Sequence, residues 1–317
     1  MASSRLALAA VPLAFLGALV SLAPGCVPAG TPPVRKTAAR PPAGQPQGPE
    51  FVRCLFDAED LKKQKLAAGG AFAVDSGGRL LLQGPGNIHD SRTWEAVAAA
   101  PLKTPLSFAA APGDALYVVT GRDFGTLAGG TFRKVTELPA EGFSVAAGPA
   151  GAGGAERAAY LYGPAPGGKS VVYLVTRPGA ADAKIRRLLF VEGRMDALAP
   201  IGSGFVFATG GRLFRAGLVR DGKVGTMLIA ELGAADLIRS LAFDKARGML
   251  FISTGSETLF LRGKTLAPIL GFGGELALGG ERSEKLYVYQ PSEGRAFEVE
   301  LPGLFAELAR RAAASSR

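Results

Sequence analysis

The chain has 317 residues, with 44 Gly, 22 Pro, two Cys, one Trp and a single His, and its net charge is +9. One histidine and two cysteines exclude a zinc centre built from several His and Cys ligands. The positive charge sits mostly at the ends: residues 51–303 hold 29 Lys and Arg against 25 Asp and Glu. No basic motif is interleaved with aromatics, so nucleic acid is excluded as a partner, and the basic termini point instead to anionic lipid.

Met1–Arg5 is a short, weakly basic start, followed by a 17-residue apolar run, Leu6–Leu22, interrupted by Pro12 and Gly17. That length is short for a membrane span and fits the core of an export signal over residues 1–25. The run ends in Leu22-Ala23-Pro24-Gly25-Cys26, which resembles the lipobox of bacterial lipoproteins, with Ala23 where that motif usually has Leu. The resemblance implies that Cys26 becomes the lipidated N-terminus. Ordinary cleavage after Val27-Pro28-Ala29 is the competing reading. Residues 26–50 are rich in Pro, Gly, Gln and Ala and read as an extended tether. With Cys26 lipidated, Cys54 is left as a buried small hydrophobe; without lipidation, a Cys26–Cys54 disulfide is open.

Residues 57–66 predict a short helix: Asp57 is placed to cap it, with acids in its first turn and lysines in its last. A repeated unit then begins. Aligned on the residue four before a turn, its copies start at Ala71, Ser107, Ser144, Asp196, Ser240 and Glu275, in steps of 36, 37, 52, 44 and 35 residues. Each copy reads as a strand of small residues, a turn, a strand rich in Leu, Val, Phe and Tyr, and a third strand often opened by Gly. The long third step contains two inserts, Gly148–Gly154 and Gly163–Gly168, that read as loops. Such spacing of short strands predicts an all-β fold: one β-propeller over residues 51–303, with six blades, or seven as the other count. Ring closure requires the termini to share a blade, so Val52–Phe56 is predicted to supply the missing fourth strand of the last one. Residues 304–317 predict a helix and tail lying on the side of the ring.

Candidate chemistry converges on one mouth of the central channel. The alignment places Ser107, Ser144, Asp196, Ser240 and Glu275 on a single ring, with Arg239 one residue earlier. Asp196 and Glu275 are candidate oxygen ligands for a divalent cation, calcium above all, and the pattern is similar to the broad group of NHL- and lactonase-like propellers. That resemblance implies a cation-dependent hydrolase. Its familiar site also uses asparagine, however, and the only Asn here, Asn87, is outside the ring. A pairing of Arg239 with Asp196 or Glu275 is the structural alternative. His89 lies in the turn-rich run 84–90 and reads as a loop side chain rather than a catalytic base. The basic cluster 184–187 reads as a solvated strand edge or loop. The sequence therefore favours a lipid-anchored propeller in the bacterial cell envelope, facing the periplasm or the cell surface, with no cofactor, acting as a non-catalytic platform for a protein or glycan. The hydrolase is the alternative.

Overall fold

The computed structural model describes residues 51–315, except 67–68, 76, 112, 114, 149–157, 203, 219–223, 233–236 and 280–283. The export signal, Cys26 and the tether lie outside the described residues, as does most of the first insert.

The chain is a six-bladed β-propeller. The closing strand β1 (Val52–Phe56) is followed by the helix α1 (Ala58–Lys63). Blade 1 holds β2 (Phe72–Val74), β3 (Leu80–Gly84) and β4 (Asn87–Asp90). Blade 2 holds β5 (Leu106–Ala110), β6 (Leu116–Thr120), β7 (Asp123–Ala128) and β8 (Thr131–Glu137). Blade 3 holds β9 (Ser144–Ala147), β10 (Ala158–Ala165), β11 (Lys169–Thr176) and β12 (Lys184–Val191). Blade 4 holds β13 (Ala197–Ile201), β14 (Gly204–Thr209), β15 (Arg212–Leu218) and β16 (Val224–Glu231). Blade 5 holds β17 (Ser240–Asp244), β18 (Met249–Ser253), β19 (Thr258–Arg262) and β20 (Thr265–Leu270). Blade 6 combines β21 (Glu275–Gly279), β22 (Lys285–Gln290) and β23 (Arg295–Glu300) with β1, and α2 (Leu301–Ser315) ends the described chain.

The composition of each strand matches its place. Inner strands converge on the axis, and Ala109, Ala146, Ala199, Ala242 and Ala277 leave room there. Second strands lie between two neighbours and are apolar on both faces; β6 and β18 are buried along their whole length. Apolar clusters fill the seams between blades, such as Tyr160, Val172, Phe205 and Phe207 between blades 3 and 4. Two inner strands end in the same turn. Asp244, fully buried, accepts from the amides of Ala246 and Arg247 and from the Arg247 guanidinium at 2.7 Å; Asp75 does the same for Gly77 and Arg79 in blade 1.

Closure is by β1, antiparallel to β23, with Val52 opposite Val299 and Cys54 opposite Phe297. Phe56 drives it inward, edge-on to Trp94 at 5.6 Å and tilted against Tyr289 at 6.1 Å. Cys54 is half-buried rather than buried, with its thiol 3.5 Å from the Phe56 carbonyl oxygen. Asp57 caps α1 in a capping box with Asp60, and Leu61 is the residue that helix buries. Helix α2 starts at Leu301, three residues before the sequence expectation. It lays Leu301, Leu304, Phe305 and Leu308 on the core of blades 5 and 6.

Four features depart from the repeat. Blade 1 has three strands; the outer edge of β4 is covered instead by an irregular segment, through a bridge between His89 and Ala96 and the Val97 amide on the Ile88 carbonyl. His89 is therefore a strand residue, not a loop residue. Its Nδ1 lies 3.3 Å from the Trp94 carbonyl oxygen. Residues 163–165 are not a loop either: they lengthen β10, pairing with 169–171 of β11 before a tight turn at Pro166–Gly168. Finally, the run 271–274 is packed backbone. A Cβ on Gly273 or Gly274 would collide with the Thr254 or Tyr289 carbonyl oxygen.

Closure carries a testable cost. Phe56→Ala is expected to lower unfolding stability by about 3–5 kcal/mol, the usual loss for a buried aromatic. Arg53→Ala, on the same strand with a side chain 69% exposed and 3.5 Å from Glu298, is expected to cost about 1 kcal/mol or less. Urea titrations of both variants check this.

Candidate functional site: the channel mouth

The six inner strands enclose a channel with a cavity of about 500 Å³. Strand register fixes which residues form its ring. Ser107, Ser144, Ser240 and Glu275 pair with Val119, Tyr162, Ser253 and Tyr289 of the second strands. In blade 4 the corresponding pair is Ala197 with Ala208. The Asp196 amide donates to the Ala208 carbonyl as the Arg239 amide donates to the Ser253 carbonyl. Asp196 is thus the counterpart of Arg239, one residue outside the ring, and Ala197 holds the ring position that the repeat alignment assigns to Asp196. The difference has a plain cause: Asp is a frequent turn and edge residue, and composition alone does not separate it from the first strand residue.

The ring serines have a structural task. Ser107 Oγ accepts from the Val145 amide at 3.2 Å, and Ser240 Oγ accepts from the Leu276 amide at 2.9 Å. Each ties its blade to the next one. Ser170 and Ser253 do the same for the Met195 and Gly274 amides. A buried N–H left without a partner costs about 1–3 kcal/mol, so these hydroxyls belong to the seams.

Glu275 is different. Burial pushes its carboxyl up from the usual 4.5 to about 7, with Arg239 and Ser240 acting in the opposite direction. Tyr162, three blades away across the axis, is pushed up to about 12, first by burial and then by the Glu275 charge; Ser144 and the Leu198 backbone offset this in part. Asp196 faces other partners: its Oδ1 is 3.8 Å from Arg194 Nε and its Oδ2 accepts from the Gly210 amide at 3.2 Å. Among the described residues Arg239 makes no ion pair within 4.0 Å, so neither of the pairings expected for it forms, although Glu275 feels its charge.

Asp196 and Glu275 do not by themselves make up the oxygen set of a divalent cation. They are on blades 4 and 6, and the Arg239 guanidinium of blade 5 lies against Gly255, near enough for Glu275 to feel its charge. Calcium takes six to eight oxygens. Among the described residues no three His, Cys, Asp or Glu side chains group to hold a metal. Asn87 is far from the ring and spent in its own turn, bonding the Ile88 amide and both backbone groups of Ala98.

A second cavity is not anticipated by the repeat pattern. A pocket of about 430 Å³ opens beside the channel between blades 3 and 4 and shares Ser144, Tyr162 and Asp196 with it. The lengthened β10–β11 hairpin forms one wall through Gly163, Pro164 and Lys169; Arg194 stands at the other. The long third repeat step is the one trace of this pocket in the sequence. The two cavities together make one mouth with hydroxyls, the half-buried Glu275 carboxyl and cations around it.

No protein-family model matches the chain, and no curated protein matches it. Among solved structures the chain is similar to a gluconolactonase from Xanthomonas campestris, at 13% identity and a TM-score of 0.59, over 78% of this chain and 89% of that one. It is also similar to a candidate gluconolactonase at 13% identity and a TM-score of 0.57, over 78% and 91%. At such identity the likeness is one of fold.

Two outcomes follow for the ring. Ser240→Ala is expected to lower stability by about 1–3 kcal/mol, because it strands the Leu276 amide. Glu275 has a folded pKa above its unfolded one, so the folded chain keeps a proton that the unfolded chain releases. The stability linked to that proton is full below about pH 4.5 and is lost as pH rises to about 7. Glu275→Gln should therefore match the parent near pH 4 and exceed it by a few kcal/mol at most near pH 8, since each tenfold change in proton affinity is worth about 1.4 kcal/mol. Chemical denaturation across pH 4–8 reads the difference.

Proposed function

We propose that the protein is a non-catalytic binding platform: an exported propeller, lipid-anchored through Cys26, whose channel mouth seats a protein or glycan partner in the bacterial cell envelope. One observation carries the platform reading. Ser107 and Ser240 are committed to joining blades, and Asp196 and Glu275 lie on different blades with no third carboxylate, His or Cys side chain of the described residues grouped with them. The wide part of the mouth, between blades 3 and 4, is lined for recognition, with Tyr162, Asp196, Arg194 and Lys169 around an open pocket. Hydroxyls, a carboxylate and cations around an aromatic ring suit hydrogen bonding to a polar ligand. The anchor and tether rest on the sequence of residues 1–50. Among the described residues no helix is long and apolar enough to cross a membrane.

A second reading, a lactonase-type hydrolase at the same mouth, is favoured by Glu275 alone: a carboxyl with a pKa of about 7 exchanges protons at neutral pH, as a general base must.

Crosslinking of the full chain in its own host, followed by mass spectrometry of captured partners and of the bait N-terminus, tests the proposal. The platform predicts an N-terminus at acylated Cys26. It also predicts one reproducible partner, whose capture falls at least about tenfold in a Lys169→Glu, Arg194→Glu variant, the size expected for losing 1.4 kcal/mol or more of rim contacts. Lactone turnover by the purified chain that disappears in Glu275→Gln, with no partner captured, would establish the hydrolase instead.

A further inference from the structure

The outer strands of the ring form its circumference, and two neighbouring ones differ from the rest. Among the described residues six large apolar side chains are strongly exposed, and four of them are on β12 and β16: Ile185 at 42%, Phe190 at 48%, Met227 at 59% and Leu228 at 49%. The same rim carries Lys184, Arg186 and Arg187 on β12 and Arg215 on β15, all exposed. Among the described residues none of these four cations has a carboxylate within 4.0 Å. Elsewhere Lys134 on β8 reaches Asp123 at 2.6 Å and Arg53 on β1 reaches Glu298 at 3.5 Å. Arg133 and Arg262 are single exposed cations without such a pair among the described residues, whereas β12 carries three together. The two strands are neighbouring outer edges: Leu188 and Leu189 of β12 and Val224 of β16 pack on the cluster between them, while Ile185 and Phe190 stand opposite Val175 and Val171 on the face of β12 toward blade 2.

We propose that this rim of blades 3 and 4 is a contact site for an anionic lipid surface, independent of any acyl chain at Cys26. Charge complementarity argues for it: uncompensated cations interspersed with protruding apolar side chains are the combination that binds the interface of an anionic bilayer. The Arg187 guanidinium lies 4.8 Å from the centre of the Phe190 ring, which joins charge and apolar surface in one unit. A lipid surface fits better than a peptide strand. The apolar side chains point to both faces of their strands, Leu228 sharing a face with Phe214 toward blade 3 and Met227 sharing a face with Arg215 toward blade 5. A peptide added to one edge would leave the other blade's apolar side chains and cations uncovered, whereas a bilayer meets both blades at once and needs no groove. The rim is on the opposite side of the ring from blade 6, where the described chain begins. A lipid contact there would lay the propeller along the membrane.

Amide hydrogen exchange of the full-length chain tests this, because it reads the rim separately from the N-terminal segment. The probes are vesicles of phosphatidylcholine alone and of phosphatidylcholine with about 30% phosphatidylglycerol. Exchange at residues 184–190 and 226–228 is expected to slow several-fold on the anionic vesicles only, and to recover in about 0.5 M salt. Each Lys or Arg at an anionic surface is worth about fivefold in partitioning, so Arg186→Glu with Arg187→Glu should raise the lipid concentration needed for rim protection by about 25-fold or more. Met227→Ser with Leu228→Ser should raise it as well without changing net charge. Unchanged rim exchange while the chain is vesicle-bound would overturn the proposal. So would protection that needs no vesicles and rises with protein concentration, which marks a second copy, or protection given by a poly-glutamate peptide and not by vesicles.

Discussion

Everything in this molecule depends on closing a ring. A blade buries its second strand only if a neighbour stands on each side, so an open array would leave two apolar faces in water. The pairing of β1 with β23 removes that problem by making the first and last parts of the chain one sheet. It also brings Phe56 against Tyr289 and Trp94, so that blades 6 and 1 share an aromatic cluster. Backbone pairing sets the register, and side-chain burial holds it. Hydroxyls then complete the seams: Ser107, Ser170, Ser240 and Ser253 each take an amide of the following blade that no strand partner can reach.

That arrangement shapes the channel. With serines used as fasteners, the polar atoms at the mouth are fewer than the sequence suggests. The remaining carboxyl, Glu275, sits where water is restricted and a guanidinium is near, and its raised pKa follows from the first of these more than it is relieved by the second. Asp196, one residue out of the ring, is turned to Arg194 and the Gly210 amide. The polar groups of the mouth are therefore spread around a space on several blades. The lengthened hairpin of blade 3 widens it on one side, and the same blade carries the uncompensated cations of β12 on its outer edge. Blade 3 thus borders both the mouth and the rim, which makes it the part of the ring furthest from a plain repeat.

The sequence by itself determined the architecture. Its period near 40 residues, its small-then-large alternation of strands and its orphan strand at Val52–Phe56 are consequences of local chemistry: turns need Gly, Asp and Pro, inner strands need small side chains, and a ring needs a shared blade. The Asp57 cap and the apolar face of the C-terminal helix were legible for the same reason. Only the tertiary structure decided which side chains meet. Strand register moved Asp196 out of the ring and put Ala197 in, because a one-residue slip changes every neighbour while leaving the composition of a segment unchanged. It turned residues 163–165 from a loop into the wall of a pocket, since Gly and Pro tolerate an extended hairpin as readily as a loop. It placed His89 in a strand whose partner is an irregular segment that no pattern announces. It also set four cations and four apolar side chains from separate repeats on one rim. These are contacts between parts of the chain far apart in sequence, and no local propensity encodes them.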